Sequence, residues 1–167
     1  MDVNFFGTVN MCKAVLAHFR KRGGGRIVNV SSVAAPAAIP FQAFYSASKA
    51  AINDYTAALA NEVRPFGVTA TAVQPGDIAT GFTAAREKSA AGDDVYGGKI
   101  SKSVRKMEHD EQNGMNPQTA GNYIAKIAMK HHPKPVYTIG LSYKAICVLL
   151  KLLPSRLANW AIGKLYT

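Results

Sequence analysis

Tyr45 and Lys49 stand four residues apart in the run Tyr45-Ser46-Ala47-Ser48-Lys49. On a helix that spacing puts both side chains on one face. A free phenol titrates near pH ~10, too high for acid–base work at neutral pH. An ammonium group close by favours the phenolate and brings that value down. A Tyr–Lys pair so placed could exchange a proton with an alcohol or carbonyl oxygen. Two further groups could join it. Ser31-Ser32 follows Arg26-Ile27-Val28-Asn29-Val30, and a hydroxyl there can either hold a substrate oxygen or satisfy the loop backbone. Pro75-Gly76-Asp77-Ile78-Ala79-Thr80 follows a second β-branched run. Gly76 would allow close backbone approach and Thr80 could donate to an amide, or the segment is an ordinary strand-ending turn.

These groups need elements that bring them together. Val3, Phe6, Val9, Cys12, Val15, Leu16 and Phe19 recur near helical spacing, and Arg20, Lys21 and Arg22 load the end with positive charge. Gly23-Gly24-Gly25 stops that helix. Ile27–Val30 reads as a buried strand. An Ala-rich helix follows over 42–63 and ends at Pro65 and Gly67. Val68–Val73 is a second strand, closed by Pro75-Gly76. Residues 81–103 show little periodicity and read as a mobile loop with some helix. Asn116 caps a helix that starts at Pro117 and runs to about Lys130. Val136–Ile139 is a third strand, and two amphipathic helices, 142–153 and 155–165, flank Pro154. Alternating helix and strand implies parallel strands with crossover helices, an α/β fold of about three strands. In such sheets ligands bind at the carboxyl ends of the strands, where Ser31-Ser32 and Pro75-Gly76 both fall.

The ordered set Asn29-Val30-Ser31-Ser32, Tyr45-Ser46-Ala47-Ser48-Lys49 and Pro75-Gly76 with Thr80 resembles the short-chain dehydrogenase/reductase family. The likeness runs from about residue 2 to about residue 82. Ser32 precedes Tyr45 by 13 residues, which matches the family's serine better than Ser31 does. Asn4, in Val3-Asn4-Phe5-Phe6-Gly7-Thr8, matches the family's helix asparagine. The resemblance implies hydride transfer between a nicotinamide cofactor, NAD or NADP, and a carbonyl or alcohol carbon. It implies Tyr45 as proton donor or acceptor and Ser32 as a hydrogen-bond donor to the substrate oxygen. Lys49 would lower the Tyr45 pKa and bind the nicotinamide ribose. Asn4 would position a water leading from Lys49 to solvent. Pro75, Gly76, Ile78 and Thr80 would line the cofactor's nicotinamide end, with Ile78 and Thr80 at its carboxamide. No metal is implied.

The same family begins with a strand, a glycine-rich turn and a helix that hold the cofactor pyrophosphate. No such element is found in these 167 residues. Gly23-Gly24-Gly25 follows a helix and precedes a strand, the reverse of what a phosphate cradle needs. The sequence therefore reads as the C-terminal portion of a Rossmann-like, doubly wound parallel sheet. On that reading 1–167 is one partial domain, a truncated enzyme that neither binds dinucleotide tightly nor turns over alone. Ile27–Val30 would then be an exposed edge strand. The other reading is a non-catalytic remnant that acts only in association.

Segment 82–114 occupies the family's substrate-loop position. The tail over 142–167 looks like that of lipid, retinoid and steroid reductases, which implies an apolar substrate. A composition of 48% hydrophobic and 18% charged residues fits a globular domain. Twenty Lys and Arg against ten Asp and Glu give a net charge of +10. With the amphipathic tail, this leaves open a peripheral membrane contact or a solvated basic face. No nucleic-acid motif accompanies the charge, so nucleic acid is not expected as a partner. Segments 3–22 and 42–64 correspond to the family's dimer helices and imply homo-oligomers. Cys12 and Cys147 read as buried reduced thiols, and the expected location is cytoplasmic or membrane-peripheral.

Overall fold

The structure is a computed structural model and describes residues 1–89 and 91–167. A π-helical turn over Asp2–Gly7 leads into α1 (Thr8–Arg22). There follow β1 (Gly25–Val30), α2 (Ala43–Val63), β2 (Val68–Pro75), α3 (Lys99–Gln112), α4 (Pro117–Ala128), β3 (Val136–Ile139), α5 (Leu141–Leu152) and α6 (Ser155–Tyr166). Gly23 ends α1 with a φ of 73°, a left-handed conformation that glycine adopts without strain. Its N–H and that of Gly24 close the last turn on the carbonyls of Arg20 and Phe19. Asn116 caps α4 as its sequence position requires, its side chain accepting from the N–H groups of Gln118 and Thr119.

The strands form one parallel sheet in the order β1-β2-β3. Gly25 pairs with Val68 and Val30 with Val73, and Ala72 to Pro75 pair with Val136 to Ile139. Parallel pairing requires crossovers, which α2 supplies between the first two strands and α3 and α4 between the last two. Neighbouring strand residues face opposite sides of the sheet. On one side Ile27, Val68 and Ala70 meet Cys12 of α1 and Leu59 and Val63 of α2. On the other, Val28 and Val73 meet Ile124 and Ile127 of α4. Both faces are thus covered, as a doubly wound sheet demands. A third cluster, Ala34, Ile39 and Met107 with Tyr45 and Tyr166, joins α3 and α6 above the carboxyl ends of the strands.

β1 lies at the sheet edge, and Val30 is 49% exposed there. The segment expected as loop with some helix becomes helical from Lys99 onward, and α3 continues to Gln112. Its stripe of Ile100, Val104 and Met107 has helical spacing but only one fully buried large side chain, so the polar residues around it hid the pattern. Residue 90, within the 82–114 segment, lies outside the described residues. Among the described residues no helix is long and apolar enough to cross a membrane.

Candidate active site

A cavity of about 350 Å³ opens at the carboxyl ends of β1 and β2. All eight residues singled out from the sequence line it: Asn4, Ser32, Tyr45, Lys49, Pro75, Gly76, Ile78 and Thr80. A broader concavity of about 630 Å³ lies at the opposite ends of the strands, beside Gly23–Arg26 and His131, and holds none of the eight. The glycine triplet therefore sits away from the site.

α2 carries Tyr45 and Lys49 on the face turned to the cavity. The Lys49 ammonium stands 5.7 Å from the centre of the Tyr45 ring. Its Nζ donates to the Val30 carbonyl at 3.0 Å, where β1 ends. Ser31 makes a second tie between the same elements, its Oγ donating to the Lys49 carbonyl at 2.8 Å. That bond assigns Ser31 to holding β1 on α2. Ser32 is the neighbour of the Tyr45 phenol, and its Oγ also accepts from the Ala34 N–H at 3.1 Å.

Burial pushes the Tyr45 phenol above its ordinary pKa; the Ser32 hydroxyl opposes this, Glu111 and Asp77 reinforce it and Arg86 opposes it. Burial likewise pulls the Lys49 ammonium down. The direction is opposite to the one expected from the Tyr–Lys spacing, because desolvation is the largest cause and Lys49 is not among the groups that move the phenol.

Asn4 reaches α2 from the π-helical turn. Its Nδ2 donates to Ser48 Oγ at 3.3 Å, and Ser48 Oγ donates to the Tyr45 carbonyl at 2.7 Å. Asn4 thus touches the turn between Tyr45 and Lys49. Ile78 forms a short bridge with Met115, which fixes the backbone after β2. Thr80 is exposed and its Oγ1 accepts from the Phe82 N–H at 3.2 Å. Gly76 permits a close approach of a kind the sequence did not disclose. A Cβ there would lie 2.1 Å from the ring of Tyr143, so only glycine lets that ring sit on the turn.

Asp77, Glu111, Tyr143 and Tyr166 also line the cavity, and the sequence assigned them no role. Tyr143 Oη donates to Asp77 Oδ2 at 2.5 Å. Burial raises the Asp77 carboxyl, and the Tyr143 bond holds it back. Burial also pushes Tyr166 up to about 12. Glu111 accepts from Thr83 Oγ1 at 2.6 Å and pairs with Arg86. Asp77 stood inside the Pro-Gly turn already noted, which was its only signal. The two tyrosines were lost among the leucines of the tail.

The residues present fit the nicotinamide end of a dinucleotide. An ammonium has three N–H donors, and among the described residues Lys49 Nζ donates only to Val30. The remainder can meet ribose hydroxyls, beside the open turn from Pro75 to Thr80. Among the described residues no strand, glycine-rich turn and helix in that order offers a pyrophosphate cradle.

A parallel sheet with a Ser, Tyr and Lys set at its carboxyl edge defines the nicotinamide-dependent class of α/β oxidoreductases. The chain matches the short chain dehydrogenase family over residues 1–91 and belongs to it. It is 45% identical over 135 residues to 3-ketodihydrosphingosine reductase of Bacteroides thetaiotaomicron, covering 80% of this chain and 50% of that protein. It is 30% identical over 158 residues to the uncharacterized oxidoreductase YbbO of Escherichia coli, covering 95% of this chain and 55% of that one. A short-chain dehydrogenase of Burkholderia cenocepacia, solved with NADP, superposes with a TM-score of 0.70 at 25% identity. That match covers 100% of this chain and 57% of the solved one. The chain thus spans about half the length of the relatives it matches.

Proposed function

We propose that this chain carries the proton-transfer part of an NAD(P)-dependent reductase acting on an apolar, long-chain carbonyl compound. One observation carries the reading. Ser32, Tyr45 and Lys49 line a single cavity together with the apolar side chains Ile39, Ile146, Ile162 and Leu165. The cofactor, when bound, supplies the hydride. The Tyr45 phenol, protonated at neutral pH, gives its proton to the carbonyl oxygen. Ser32 donates a hydrogen bond to the same oxygen, and the Lys49 ammonium stabilises the phenolate left behind. Asn4, which donates to Ser48 Oγ, leads a replacement proton toward Lys49 on this reading. The name of the Bacteroides relative suggests the substrate class, a ketone of the dihydrosphingosine type, which is a long-chain amino ketone.

The test joins the part of the Bacteroides relative that precedes its matched segment ahead of Met1. The chimera should oxidise NADPH or NADH in the presence of 3-ketodihydrosphingosine. Tyr45→Phe should lower kcat by about 10²–10⁴ with the fold intact. A folded chimera that binds dinucleotide but reduces no long-chain ketone would overturn the reading.

A second proposal concerns location. No Asp or Glu follows Glu111, while seven Lys and Arg do. Leu141, Val148 and Leu152 share one exposed stripe of α5, with Lys144 and Lys151 on the adjoining one. Leu152 is 77% and Trp160 60% exposed. Apolar side chains beside unopposed positive charge suit the surface of an anionic bilayer. The chain should sediment with phosphatidylglycerol vesicles and not with phosphatidylcholine vesicles. Leu152→Glu with Trp160→Glu should release it, and equal recovery with both lipids would end the proposal.

A further inference from the structure

We propose that Asp77 is the specificity-determining residue of this site and binds a cationic amine carried by the substrate beside its reacting oxygen. The proposal rests on reading the cavity as the carbonyl site.

Asp77 follows the Pro75-Gly76 turn directly, is half-buried and lines the cavity that holds Tyr45 and Ser32. Its Oδ2 accepts from Tyr143 Oη at 2.5 Å. Among the described residues Oδ1 has no hydrogen-bond donor, and the carboxylate has no ion pair. The cations nearby are engaged elsewhere. Arg86 pairs with Glu111, Lys106 Nζ holds both oxygens of Asp110 at 2.6 and 2.7 Å, and Lys49 donates to Val30. None of these three cations pairs with Asp77. Asp77 is close enough to act on the reacting group: Glu111 and Asp77 push the Tyr45 phenol up, while Arg86 draws it down.

The carboxylate is also held in place. Tyr143 lies against Gly76 where any Cβ would collide with its ring, so the turn and α5 are shaped to set the phenol on Asp77. A half-buried carboxylate with a phenol on one oxygen and nothing on the other lacks a counter-ion. An ammonium group on the substrate would supply both charge and donors. Tyr45, in the first turn of α2, and Asp77, just past the carboxyl end of β2, line one cavity, so the amine falls on the Asp77 side of the oxygen that Tyr45 holds.

Calorimetric titration of the full chain at neutral pH tests this with three probes: 2-aminododecan-3-ol, its N-acetyl derivative and dodecan-3-ol. The amine, protonated at that pH, should bind at least about tenfold more tightly than either neutral probe. Asp77→Asn should erase that preference, and Asp77→Glu should retain part of it. Equal affinity for all three probes in the unaltered chain overturns the proposal and leaves the carbonyl site standing. A preference that survives in Asp77→Asn overturns it as well. Should none of the probes bind the folded chain, the carbonyl-site reading fails and this one with it.

Discussion

Tyr45 keeps its proton through the neutral range because burial disfavours its phenolate. Its raised pKa means that the folded chain holds this proton more firmly than the unfolded chain does. The resulting stability is fully present below the unfolded value of about 10 and is lost as pH rises through the folded value. Tyr45→Phe should therefore flatten the alkaline fall in melting temperature, followed by circular dichroism between neutral pH and the alkaline limit. Asp77 has the same sign at acid pH. Its carboxyl is raised, so its contribution is present below about pH 3.9 and is lost as pH climbs through the raised value. At neutral pH the ionised group works against the fold. Asp77→Asn should raise the melting temperature there, with the gain shrinking to nothing in acid. A fall in melting temperature at neutral pH would contradict that assignment. Tyr45 was legible as a candidate because Lys49 is one helical turn away. Asp77 was not, because its partner Tyr143 is 66 residues distant.

At the scale of elements, the join between β1 and α2 sets the site. Asn29 Nδ2 donates to Thr56 Oγ1 at 2.9 Å, and Thr56 Oγ1 donates to the Ile52 carbonyl at 2.6 Å. Cys12 Sγ reaches Asn29 Oδ1 from α1 at 3.5 Å. Thr56 is 0% exposed, so water cannot replace its hydroxyl. Thr56→Val leaves a buried amide donor without its acceptor and should cost about 1–3 kcal/mol in urea unfolding. Asn116→Ala removes the α4 cap and should cost about 1 kcal/mol by the same measurement. Gly76→Ala should displace Tyr143 from the turn and free Asp77, lowering the melting temperature more than Tyr143→Phe does. The Asn116 cap was visible because capping is a contact between residues two and three apart. α3 was visible only in part. Its apolar stripe is thin, and its burial depends on α6, which joins the chain more than forty residues later.

The molecule as a whole has its sheet open along β1. Its site has side chains for the nicotinamide end of a dinucleotide, and the chain spans about half of its relatives. The chain alone should show no micromolar binding of NADH or NADPH by cofactor fluorescence, and micromolar binding would refute this. Exposed Met11 and Phe44 lie in the two segments expected to mediate self-association. Two copies meeting there is a proposal for light scattering, in which Phe44→Glu should shift the mass toward a single chain. Equal masses for both proteins would exclude that contact.

The sequence by itself determined the parallel α/β arrangement, the glycine stop after α1, the Asn116 cap, and the placing of Ser32 after a strand and of Tyr45 and Lys49 on one helix face. These follow from periodicity, glycine and proline positions, and spacings within one helix or at one strand end, all of which are local. Only the tertiary structure decided that eight separate residues share one cavity, that desolvation governs the Tyr45 phenol, and that Tyr143 settles on Gly76 to hold Asp77. Those outcomes depend on which distant segments close over the sheet and on how much water they exclude. Burial and long-range contact have no periodic signature along a chain.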